Sequence, residues 1–91
     1  MTNQSTEAQA QNLEATFSTL VISIASSVIV NLGFEKNPQT NKIEKNLALA
    51  QYSIDLLVLL RSKTKNNLTE AETNYLEAII QDLQLKYNQA R

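Results

Sequence analysis

The sequence predicts an all-α domain of three helices, completed by homo-oligomerisation. Three observations carry this expectation. Apolar residues recur at three- and four-residue spacing in three separate segments, the signature of helices with one apolar face. The single Gly and the single Pro, Gly33 and Pro38, both fall between the first two segments. A capping box, Thr69 and Glu72, opens the third.

The first helix is expected at about residues 14–33. Its apolar positions are Phe17, Leu20, Val21, Ile24, Ala25, Val28, Ile29 and Leu32, a three-four pattern held over more than four turns. Val and Ile are numerous enough to suggest a strand, but the period is helical and the run is too long for one. Gly33 is a natural stop, and residues 35–41, with Pro38 between Asn37 and Asn41, read as a loop. The second helix is expected at about 46–64, with Asn46 as N-cap and the run from Ile54 to Leu60 apolar nearly all the way round. Arg61, Lys63 and Lys65 complement the negative end of its dipole, and Asn66 and Asn67 supply a left-handed turn. The third helix is expected at about 70–88, with Leu76, Ile79, Ile80, Leu83 and Tyr87 as its stripe. The short connection before it predicts that helices two and three form an antiparallel hairpin.

Residues 1–13 read as a disordered polar tail, because its first dozen residues are Gln, Asn, Thr, Ser and Ala with one Glu after Met1 and lack large apolar residues that could anchor them. Residues 14–91 then make a single domain. A core of that size is marginal without some additional burial. The chain has no Cys and no His, so neither disulfides nor a Cys/His metal site can stabilise it. Association is the remaining common device.

The distribution of charge points the same way. Ala15 to Phe34 contains no charged side chain in a chain that is 19% charged. A helix with a face in water normally carries charges there. This one offers only Ser, Thr and Asn, which implies that most of its circumference is covered. The predicted association surface comprises Phe17, Leu20, Ile24, Val28 and Leu32, with Thr19, Ser23 and Ser27 as a strip of small residues permitting close approach. The expected partner is a second copy, as a dimer or a higher state. An adaptor that offers the same helix to another protein or to a membrane surface is the alternative. A membrane span is disfavoured by seven Ser, Thr and Asn residues in the window and by the lack of a basic flank before it.

Net charge is −1, so no global field attracts nucleic acid. The middle of the chain, residues 35–65, nevertheless sums to +3. Arg61, Lys63 and Lys65 could form a small basic patch for a nucleic-acid or ribosome accessory role, although helix-end complementation explains them without a ligand. Asp55, within an apolar run, reads as a narrow solvated edge of its helix. An enzyme is not expected, since no nucleophile–base motif, Gly-rich loop or Glu-x-x-His pair is present. No cofactor is implied. The first positive residue, Lys36, follows the apolar segment, which argues against a signal peptide and for the cytoplasm.

Several runs appear together in one order: Phe17-Ser18-Thr19-Leu20-Val21, Leu32-Gly33, Ala50 with Ile54-Asp55-Leu56-Leu57, Lys63-Thr64-Lys65-Asn66-Asn67-Leu68-Thr69, and Asp82-Leu83-Gln84-Leu85-Lys86-Tyr87. The chain thereby resembles a small bacterial family known as domain of unknown function eighteen-forty-four, over roughly residues 17–87. The resemblance implies a short, helical, cytosolic bacterial protein and brings no activity, ligand or catalytic residue. The family usually carries Gly where this chain has Asn66 and Arg where it has Gln84.

Overall fold

The computed structural model describes residues 14–91, and the tail expected at 1–13 lies outside the described residues. Three helices follow one another: α1 (Phe17–Asn31), α2 (Leu47–Lys63) and α3 (Glu70–Ala90). Among the described residues the only β pairing is an isolated antiparallel bridge between Asn37 and Lys42.

Each helix starts where a side chain can take up free backbone donors. α1 begins at residue 17 rather than 14, because Thr16 is extended and its hydroxyl accepts the Thr19 N–H at 3.1 Å. Asn46 caps α2 as expected, its Oδ1 accepting the Leu49 N–H at 3.0 Å. The capping box of α3 closes both ways. Glu72 N–H donates to the Thr69 hydroxyl at 3.1 Å, and Thr69 N–H donates to Glu72 Oε1 at 2.9 Å.

The helix ends are equally local. α1 stops in a Schellman motif, in which Phe34 N–H reaches the Ile29 carbonyl (3.2 Å) and Gly33 N–H the Val30 carbonyl (3.0 Å). Gly33 sits at φ +87°, a backbone conformation that side chains disfavour. In the loop, Asn37 Oδ1 accepts the Gln39 N–H at 2.8 Å in an Asx turn across Pro38, and Asn41 is left-handed at φ 60°. After α2, Asn66 alone takes the left-handed conformation (φ 71°), whereas Asn67 closes the turn with a backbone bond to Thr64. α3 runs two residues past its expected end, to Ala90.

The core lies where the three helices meet. Val21, Ala25, Val28 and Leu32 come from α1 and its C-cap, Ala50, Ile54 and Leu57 from α2, and Leu76, Ile80 and Leu83 from α3. All are apolar and nearly free of solvent, so burial of this single cluster is the main driving force for the fold. Two polar contacts tie the ends of α2 to α3. Lys45, just before α2, donates to the carbonyl of Ala90, and Arg61 near its end pairs with Glu77 at 3.0 Å.

Candidate interaction surface

At 3.6 residues per turn, Phe17, Val21, Ala25, Val28 and Leu32 fall within an arc of roughly 80° on α1. That arc faces the chain's own α2 and α3. Thr19, Leu20, Ser23, Ser26, Ser27 and Val30 fall within an opposite arc of roughly 120°. This outer arc carries no charge, and most of it is exposed.

The eight residues expected to form the association surface therefore divide. Val28 and Leu32 are taken up inside the chain's own core, at 0% and 2% exposure, and so cannot meet a second copy. Phe17 and Ile24 sit at the core margin. Leu20, Ser23 and Ser27 face outward, and Thr19 is half-buried. The physical reason is periodicity: one three-four stripe on a helix can serve only one side, and the chain's own helices occupy it.

Thr19, Ser23 and Ser27 of the outer arc are already bonded to near neighbours along the chain. Ser23 Oγ donates to the Thr19 carbonyl at 2.9 Å, the Thr16 and Thr19 hydroxyls share a bond of 2.8 Å, and Asn31 Nδ2 donates to Ser27 Oγ at 3.3 Å. The Ser23 hydroxyl, whose proton is already placed, can therefore be covered by an apolar surface without leaving an orphaned donor.

Sequence reasoning assigns the apolar excess of α2 to the association surface as well but names none of its outward residues. Leu49, Tyr52, Leu56 and Leu59 recur at spacings of three, four and three, forming a second stripe beside the buried one. Leu56 is half-buried and the other three are exposed. The spacing was the signal that could have found them. Leu49 lines a groove with Ser26, Ser27, Val30 and Asn31 of α1, so the α2 stripe begins against the uncharged face of α1.

The basic cluster also divides. Arg61 and Lys65 border one cleft of about 590 Å³ at the α2–α3 turn, and Lys63 does not. Arg61 is held there by its bond to Glu77. Asp55 is exposed and accepts from Gln51 Nε2 at 2.9 Å, in agreement with a solvated edge. No helix of the described residues is long and apolar enough to cross a membrane.

None of the curated proteins or solved structures matches this chain. The family described as Domain of unknown function (DUF1844) matches residues 14–89, nearly the whole described chain. That match spans all three helices and the turn motifs between them, and the protein belongs to the DUF1844 family.

Proposed function

We propose that this protein is a non-enzymatic association module of the bacterial cytoplasm, in which a second copy covers the outer face of α1 and the outer stripe of α2. Within each copy, α2 and α3 act as an antiparallel hairpin, a reading supported by the Lys45–Ala90 and Arg61–Glu77 contacts at opposite ends of α2.

One observation carries the proposal. Large aliphatic and aromatic side chains stand in solvent on the uncharged outer face of α1 and the outer stripe of α2: Leu20 at 47%, Leu49 at 44%, Tyr52 at 58% and Leu59 at 52% exposure. These four present on the order of 400 Å² of mostly apolar area, within the range of the largest patches that mark interaction sites. They make up about half of the roughly 800 Å² that each partner contributes to a standard interface, and the exposed Ser side chains of α1 add to them.

Lack of charge favours a second copy as the occupant. A two-fold contact sets a patch against itself, so any net charge on it meets a like charge across the axis. The outer arc of α1 carries none. Small side chains at Ser23 and Ser27 let two such faces approach closely.

Light scattering of the full chain over a wide concentration range tests this reading. The expected result is a dimer or higher state that Ser23→Glu and Leu59→Glu each dissociate, with helical content retained. A monomer at every concentration, or an oligomer that keeps its mass in both variants, overturns it.

A further inference from the structure

We propose that the cleft at the α2–α3 turn binds a small, singly charged organic carboxylate carried on an apolar body. This goes beyond self-association and rests on different residues. The cleft measures about 590 Å³, inside the 300–1,000 Å³ typical of small-molecule sites. Half-buried Leu68 supplies most of its apolar lining, with core residue Leu76 at its floor, whereas Arg61, Lys65 and Glu77 supply its charge.

Arg61 is the anchoring group. Its Nη1 donates to Glu77 Oε1 at 3.0 Å, which engages one of five N–H donors and restrains the planar fork at the cleft. Such a fork suits the two oxygens of a carboxylate. Lys65 adds a second positive charge to the same cleft. Thr64 is less available as a donor, since its hydroxyl already donates to the Leu60 carbonyl at 2.7 Å. Ser62, Asn66 and Thr73 are the neutral polar groups left to orient a bound molecule.

The charge balance selects the ligand class. Two cations against one carboxylate leave the lining at +1, which a monoanion neutralises. A phosphate monoester carries about −1.5 to −2 at pH 7 and would leave Glu77 facing excess negative charge. A nucleic-acid strand needs a longer basic track with aromatic stacking platforms, and none of the cleft's lining residues is aromatic. Stability gives little reason to hold Arg61 in place, because exposed ion pairs are worth about 0–1 kcal/mol.

An amide-resolved NMR titration of the full chain with benzoate, benzyl alcohol and inorganic phosphate, at fixed ionic strength, tests the proposal. Benzoate is expected to give saturable shifts confined to residues 61–77, with a dissociation constant on the order of a millimolar, as suits so small a ligand. Benzyl alcohol, which keeps the ring and lacks the charge, and phosphate, which has charge and no apolar body, are each expected to bind at least tenfold more weakly. Arg61→Gln and Lys65→Gln are expected to weaken benzoate at least fivefold. Glu77→Gln, which raises the lining to +2 and frees all five Arg61 donors, is expected to tighten it at least twofold. Absence of saturable shifts, equal binding of either control, or benzoate binding indifferent to these three substitutions overturns the proposal.

Discussion

The backbone N–H of Asn46 donates to the carbonyl of Asn31 at 2.7 Å, so the N-cap of α2 also satisfies the last carbonyl of α1. One residue thus closes one helix and opens the next, through its backbone and its side chain respectively. Asn46→Ala keeps the backbone bond and loses the cap, which is expected to cost about 1 kcal/mol. For a domain of this size that lowers Tm by roughly 4–8 °C in a thermal melt followed by circular dichroism. Asn46→Asp retains an acceptor and should recover most of the loss. An unchanged melting curve for the Ala variant would show that the cap does not stabilise the fold.

Gly33 tests the turn that follows α1. A Cβ added there meets only Lys45 and Ile43 side-chain atoms at 3.6–3.7 Å, which is ordinary contact. Any penalty must therefore come from the backbone at φ +87°. Gly33→Ala is expected to lose about 1–2 kcal/mol, and Gly33→Asn less, because Asn tolerates the left-handed region. Chemical denaturation would read both, and equal losses would point to crowding instead.

Two aliphatic residues on α2 should behave oppositely. Ile54 is 1% exposed and Leu59 is 52% exposed. Ile54→Ala leaves a cavity among three helices and should cost about 2–5 kcal/mol, enough to unfold much of so small a domain. Leu59→Ala should change the stability of the isolated chain by less than about 0.5 kcal/mol and weaken self-association instead. Denaturation at high dilution, set beside light scattering at high concentration, separates the two. Destabilisation by Leu59→Ala at high dilution would mean that its side chain supports the single chain.

The Arg61–Glu77 pair predicts a small effect. Both side chains are 42% exposed, so solvent screens their attraction. Arg61→Gln or Glu77→Gln should shift stability by at most about 1 kcal/mol, with the difference shrinking as salt rises. A loss well beyond that would identify the pair as a structural tie between α2 and α3.

The residues that were legible in the sequence are those whose partners are three to five positions away. The Thr69–Glu72 capping box, the Asn46 cap and the Gly33 turn all close within five positions. Their hydrogen bonds are fixed by local geometry, and spacing alone predicts them. Thr16 is equally local, yet the expected helix extends back to residue 14, across its own cap.

The sequence by itself determined three helices, the N-caps of α2 and α3, and an uncharged α1. Only the tertiary structure decided which side of that helix is spent inside the chain. Leu20 and Val28 are both aliphatic residues of the same expected stripe, yet one stands half in solvent and the other is fully buried. Hydropathy cannot rank them, because burial depends on which arc complements the shapes of α2 and α3. The cleft is likewise a tertiary product. Arg61 and Glu77 lie sixteen positions apart, and only the packing of two helices brings a guanidinium, a carboxylate and the side chains of Leu68 and Leu76 to one place.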